Sequence, residues 1–344
     1  MNGPVSAAAA LVGPGKGILS AGESVVATSS RLASAGVAAT ADNRNAYREM
    51  LVTTPGLASG ISGVILAAET FRQRLRDGRP FPAALADLGM MTGLRADAGA
   101  KPLAGTHGET ITEGLDGLLP RLCEYAGLGA QFATWRAALR IGPGAPSPLA
   151  IRANAQALGR FAGACQEAGL VAIAEPAVLT AGSHSLGHCE AVTSVVLLEV
   201  MSSLHEYGVD FERVLLKPTM VLPGRDRAAG PSPAEVAEAT IGTLNGMPAA
   251  VAGVAFSSGG QHPRQATENL AAMQHGLHLW PLTFAFGRGL VAPALAAWRG
   301  EPGRVRAGQR ALAWRVSMNV AAVEGRYSPD SDGRSEARRS GRWL

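Results

Sequence analysis

A single-domain α/β chain folded as a closed (β/α)8 TIM barrel is the architecture this sequence predicts, on three observations. Short apolar runs alternate with longer stretches whose apolar residues recur at spacings of three and four. Eight such alternations fit within roughly 300 residues, the usual span of a closed barrel. No G-x-G-x-x-G turn follows the first run, as an open dinucleotide-binding sheet requires.

The strands are expected, in order, at Gly17 to Ser20, Gly63 to Leu66, Gly93 to Ala96, Phe132 to Trp135, Leu170 to Glu175, Val214 to Lys217, Val251 to Phe256 and Leu282 to Phe286. Each is a short apolar run bounded by glycine, proline or a charge. Helical periodicity is clearest over Ser147 to Ala168, Cys189 to Tyr207, Pro233 to Asn245, Arg264 to His275 and Ala292 to Glu324. The third of these opens on Ser232-Pro233-Ala234-Glu235, a capping serine with proline in the first turn and an early acid.

Composition narrows the function classes. With 47% hydrophobic and 17% charged residues, the 344-residue chain has ample core and no transmembrane run. The alanine run in 1–12 lacks a preceding basic residue, so no secretory leader is expected and the cytoplasm is the default location. Cys123, Cys165 and Cys189 are odd in number and widely spaced, as reduced packing residues are. His184 and His188, with Cys189 adjacent, have a zinc-compatible spacing but no surrounding HExxH pattern. A net charge of +4 and a pI near 9.2 are only mildly basic. Part of the excess lies in Arg334, Arg338, Arg339 and Arg342, within a region at 328–344 that reads as a flexible basic tail. Neither nucleic acid nor a membrane is expected as partner, whereas positive charge near a pocket suits a phosphorylated metabolite.

Lys217 is the residue most suggestive of chemistry. The chain holds three lysines, Lys16, Lys101 and Lys217, and its other 28 basic side chains are arginine. A lysine ending the apolar run Val214-Leu215-Leu216 therefore points to lysine chemistry: an amine can lose its proton and attack a carbonyl, and a guanidinium cannot. Simple snorkelling of a strand-end lysine toward water is the alternative. In a barrel the polar residues ending the strands converge on one mouth. These are Gly22 to Ser24, Glu69, Arg95 with Asp97, Thr134 with Arg136, Glu175, Lys217, Ser257 to Gly260, and Arg288. Glu175 closes another apolar run and is placed to move protons for an imine on Lys217, or else to pair with an arginine. Ser258-Gly259-Gly260 and Gly287-Arg288-Gly289 follow strands seven and eight, where barrels commonly hold phosphate.

These residues carry a resemblance to the class I fructose-1,6-bisphosphate aldolases, the Schiff-base, metal-independent type. It runs from about Gly15 to Tyr327 through Asn43-Arg44, Tyr47-Arg48, Ser62 to Leu66, Pro102 to Thr106, Gly114 to Leu118, Trp135-Arg136, Glu175-Pro176, Leu215 to Pro218, Ser258 to Gln261 and Leu282 to Phe284. The resemblance implies a barrel, commonly a homotetramer, that cleaves fructose 1,6-bisphosphate to dihydroxyacetone phosphate and glyceraldehyde 3-phosphate without a cofactor. It places Lys217 on the Schiff-base lysine and Glu175 on the proton-transfer glutamate. Ser258, Gly259 and Arg288 fall on positions for one phosphate, and Arg31 and Arg136, with Ser24 nearby, on positions for the other. Arg95 stands where the family usually has lysine, and Asp97 matches an aspartate.

Three departures accompany the likeness. Ala-Asp-Glu-Ser becomes Ala21-Gly22-Glu23-Ser24, the lysine before Trp-Arg becomes Thr134, and Glu-Pro-Glu becomes Glu175-Pro176-Ala177. Gly22 removes a carboxylate that assists carbon–carbon cleavage, and Thr134 an ammonium that helps keep the nucleophile neutral. Glu23 is not expected to substitute, because strand pleating turns adjacent side chains to opposite faces. A catalytically impaired paralogue that binds phosphosugars or serves as a scaffold is accordingly the alternative expectation.

Overall fold

The computed structural model describes residues 4–227, 230–247 and 251–332. Eight parallel strands close into a barrel: β1 (Gly17–Ser20), β2 (Ile61–Leu66), β3 (Met91–Arg95), β4 (Phe132–Arg140), β5 (Val171–Leu179), β6 (Val214–Leu216), β7 (Gly253–Phe256) and β8 (Leu282–Phe286). The seam joins β1 to β8 with Ile18 opposite Ala285. All eight expected strands are present. β-branched and aromatic residues give these runs their extended preference, and helices packed outside bury the outer face.

Side-chain alternation sorts the barrel interior into a dry floor and a polar mouth. Ile18, Ile65, Phe132, Val171, Ile173, Leu215, Ala255 and Ala285 form one buried interior cluster. Ala8, Leu11 and Val12 join it, so the helix Pro4–Leu11 plugs the N-terminal end of the barrel. Two positions further along the same inward face come Arg95, Thr134, Glu175 and Lys217. The floor closes because Phe132 lies over glycines: a Cβ at Gly93 would come within 2.0 Å of its ring and one at Gly63 within 2.9 Å. Gly93→Ala is therefore expected to destabilise the protein by about 1–3 kcal/mol, the usual cost of overpacking a filled core. An unchanged denaturation midpoint would show that the floor has slack.

Several sequence expectations need correction. β4 and β5 run well past Trp135 and Glu175 to Arg140 and Leu179, where they stay paired in register. β7 starts at Gly253, two residues later than expected. The helix expected over Ala292 to Glu324 is two helices, Arg288–Trp298 and Val305–Val323. Arg299 (φ 55°) and Gly300 (φ 76°) are left-handed there, and Pro302 opens a separate turn, a common way of ending a helix. A hairpin, Ala100–Pro102 with Thr110–Thr112, is inserted between β3 and β4.

Within the tail expected from 328, residues 328–331 are exposed and Asp332 is buried. Its carboxylate pairs with Arg315 at 2.6 Å and accepts from the Tyr327 hydroxyl at 3.0 Å. Residues 333–344, which hold the four tail arginines, lie outside the described residues. No helix among the described residues is long and apolar enough to cross a membrane.

Candidate functional site

The C-terminal ends of the strands enclose a cavity of about 120 Å³. Lys217 immediately follows β6, and its backbone N–H bonds Ala174 O at 2.7 Å, so the strand ladder fixes its Cα. Its ammonium does not snorkel. The residue is 4% exposed, and Nζ donates to Glu175 Oε2 at 2.6 Å. The other carboxylate oxygen of Glu175 lies 3.2 Å from Arg136 Nε, from the facing position on β4. One carboxylate thus serves two cations in a largely dry site, where charge-assisted contacts are strong.

Asp97 is the most enclosed of the acids that line the cavity. Arg95 donates to it through Nε and Nη2, at 2.7 Å for the shorter contact, and the backbone N–H groups of Gly99 and Arg136 add bonds of 3.1 and 3.4 Å. The arrangement stiffens the loop after β3 and fixes Arg95 at the rim. Thr134 lines the same wall, its hydroxyl buried and without a hydrogen-bond partner among the described residues.

An anion cradle lies across the cavity. Gly259 (φ 55°) and Gly260 (φ 82°) take left-handed conformations that side chains disfavour. A Cβ at Gly260 would sit 3.2 Å from Arg288 Nη2, so glycine is what lets the guanidinium close on the turn. Arg288 opens the helix Arg288–Trp298, whose first turn contains no acidic residue. Burial, followed by the charges of Arg31, Arg136 and Arg225, pushes the Arg288 guanidinium below the ordinary arginine value, with Glu23 opposing. A bound phosphate would relieve that crowding.

Eight of the ten expected site residues line the cavity: Arg95, Asp97, Arg136, Glu175, Lys217, Ser258, Gly259 and Arg288. Arg31 and Ser24 are not in the lining. Arg31 pairs with Glu23, its Nε donating to Oε2 at 2.8 Å, and Ser24 Oγ caps the helix Val25–Ser34 by accepting from Ala27 N at 3.2 Å. Glu69, from the wider set of strand-end residues, is not in the lining either. Arg44 and Arg48 hold it at 2.6 and 2.7 Å and keep its carboxyl below the usual range; hydrogen bonding from Arg44 is the largest cause.

Glu23 is the site residue that strand pleating misjudges. It lines the cavity, because β1 ends at Ser20 and alternation no longer governs the irregular turn that follows. Gly22 also lines the cavity, but a Cβ there would meet Ile65 Cγ2 at 2.8 Å and the Leu66 carbonyl carbon at 3.2 Å. Packing of β1 on β2 therefore leaves no free room for a side chain at 22. Ala177, two residues beyond Glu175 on the inward face, is fully buried and adds no ionisable group.

A buried amine held against a carboxylate, beside an arginine–glycine anion cradle, suits a barrel enzyme that activates the carbonyl of a phosphorylated compound. Comparison with known proteins makes this specific: the family model for glycolytic fructose-bisphosphate aldolase class-I matches residues 5–341. The chain belongs to that family. It is 46% identical over 330 residues to fructose-bisphosphate aldolase 5, cytosolic, of Arabidopsis thaliana, covering 95% of this chain and 92% of that protein. Identity to fructose-bisphosphate aldolase B of Gallus gallus is 45% over 321 residues, covering 92% and 88%. The solved fructose-bisphosphate aldolase of Plasmodium falciparum, in complex with TRAP and a small-molecule inhibitor, superposes with a TM-score of 0.93 at 39% identity. That match covers 94% of this chain and 95% of the solved one.

Proposed function

We propose that the protein cleaves fructose 1,6-bisphosphate to dihydroxyacetone phosphate and glyceraldehyde 3-phosphate, and catalyses the reverse condensation, through a Schiff base on Lys217. The observation that carries this reading is the buried contact of 2.6 Å between Lys217 Nζ and Glu175 Oε2. Such a pair holds a nucleophile beside the group that can take its proton and then protonate the departing hydroxyl of the carbinolamine. The amine attacks the ketose carbonyl, water leaves, and the resulting iminium withdraws electrons from the bond to be broken.

The remaining residues orient the substrate. Ser258, Gly259 and Arg288 hold the phosphate on the ketone side, with the Arg288 fork and the glycine-turn amides as donors. Arg136 and Arg31 take the second phosphate, Arg31 from its place against Glu23, and Ser24 ends the loop beside Arg31. Arg95, steadied by Asp97, adds positive charge along the path between the two. The family resemblance supports a homo-oligomeric cytoplasmic enzyme.

A direct test is cleavage of fructose 1,6-bisphosphate in a coupled assay with excess EDTA. Turnover that survives the chelator is the expected result, since the iminium formed on Lys217 serves as the electron sink. Activity lost in EDTA and restored by a divalent cation would contradict the mechanism.

A further inference from the structure

We infer that Glu23 is the group that takes the hydroxyl proton when the carbon–carbon bond breaks, the step for which the absent carboxylate at position 22 leaves no obvious base. The inference rests on the Schiff-base reading above. Three carboxylates line the cavity: Glu23, Asp97 and Glu175. Asp97 is committed. It receives donors from Arg95, Gly99 and Arg136, and its side chain is 1% exposed. Glu175 is engaged on one oxygen by Lys217 and lies against Arg136 on the other, with 9% exposure, and it already serves imine formation.

Glu23 is more open. Its side chain is 30% exposed, and although both carboxylate oxygens accept from Arg31, that arginine is its one side-chain partner among the described residues. Its backbone is fixed from behind, because Arg48 Nη2 and the Thr28 hydroxyl donate to its carbonyl at 3.3 and 3.4 Å. It follows β1, which is separated from β6 by β8 and β7 in the barrel order, so it stands across the mouth from Lys217. A substrate joined to Lys217 through its carbonyl carbon extends its far half in that direction. Gly22 places no side chain in the way. The pairing with Arg31 aims the carboxylate while leaving a lone pair on each oxygen free to accept.

The step balances without a further reagent. The hydroxyl on the carbon next to the scissile bond, on its aldehyde side, gives its proton to the Glu23 carboxylate. Its O–H electron pair becomes the new C=O bond. The C–C pair moves toward the iminium nitrogen, leaving an enamine on Lys217 and a free aldehyde. In condensation the same carboxyl returns the proton to the forming alkoxide.

Glu23→Gln separates this role from a structural one. Exchange of the carbon-bound proton of dihydroxyacetone phosphate with deuterated solvent needs Lys217 and enamine formation, but no hydroxyl proton transfer. Cleavage of fructose 1,6-bisphosphate at saturation needs both. The expected result is exchange near the wild-type rate with kcat for cleavage lowered about 10²–10⁴-fold, the usual loss for a positioned acid–base group, and partial recovery of cleavage in Glu23→Asp. Equal loss of exchange and cleavage in Glu23→Gln, unchanged cleavage, or an aspartate variant no better than glutamine would each overturn the assignment. Absence of exchange in the wild-type protein would instead remove the Schiff-base reading itself.

Discussion

Lys217→Met is expected to lower kcat for cleavage of fructose 1,6-bisphosphate by on the order of 10⁴–10⁶-fold, the scale seen when a covalent nucleophile is removed. The aliphatic stem of methionine fills a similar space between β5 and β7, so the barrel should retain its thermal midpoint. Lys217→Arg is expected to be equally inactive although it keeps the charge, because a guanidinium does not deprotonate to attack a carbonyl. Phosphosugar binding, read by calorimetry, should survive in both variants, since Arg288 and the 258–260 turn are untouched. An arginine variant that still turns over would show that Lys217 supplies only positive charge.

Glu175→Gln is the second large effect. The amide keeps the shape and can still accept from Lys217 Nζ, but it cannot carry a proton between amine, carbinolamine and water. The rate of Schiff-base formation, followed by rapid quenching into borohydride, is expected to fall about 10²–10⁴-fold. The end point should still be reached, because the nucleophile remains. Removing Glu175 also releases Arg136, whose Nε lies 3.2 Å from its carboxylate. Tighter inorganic phosphate binding by the variant would accompany the slower chemistry. A wild-type rate of imine formation in Glu175→Gln would assign the proton transfers to another group.

The barrel was legible in the sequence because each strand carries its own pattern. Runs such as Leu170 to Glu175 and Val214 to Lys217 are apolar up to a single polar residue, and in a closed parallel barrel that residue must fall at the mouth. Arg95, Glu175 and Lys217 meet there on that pattern, whereas Asp97, Ser258, Gly259 and Arg288 reach the cavity from chain beyond the strand ends, where the family resemblance and the glycine-rich turns pointed to them. What pattern could not show depends on chain that has left the ladder. Glu23 lies in an irregular turn, where pleating says nothing about direction. The hairpin at 100–102 and 110–112 has strands of three residues, too short to leave a periodic trace. The break at Arg299 to Arg304 was marked by Gly300 and Pro302, but helical periodicity on both sides concealed it. The packing that fills the space around Gly22 comes from Ile65 and Leu66, more than forty positions away in sequence.

The same contacts explain how the site accommodates its departures from the family pattern. A side chain at 22 would press on Ile65 and the Leu66 backbone, and Thr134 offers a neutral hydroxyl, so Lys217 and Glu175 are the paired charged side chains at the centre of the cavity. Arginines surround them, and Glu23 is the most exposed of the three carboxylates that line the cavity.

Borohydride reduction in the presence of dihydroxyacetone phosphate, read by intact mass with Lys217→Met as control, decides whether the buried amine forms a Schiff base. A single covalent adduct is expected on the wild-type protein and none on the control, together with cleavage of fructose 1,6-bisphosphate by the unreduced enzyme. Measurable binding of the same compound with no adduct would contradict that expectation, and would leave an aldolase barrel that holds phosphosugars without reacting with them.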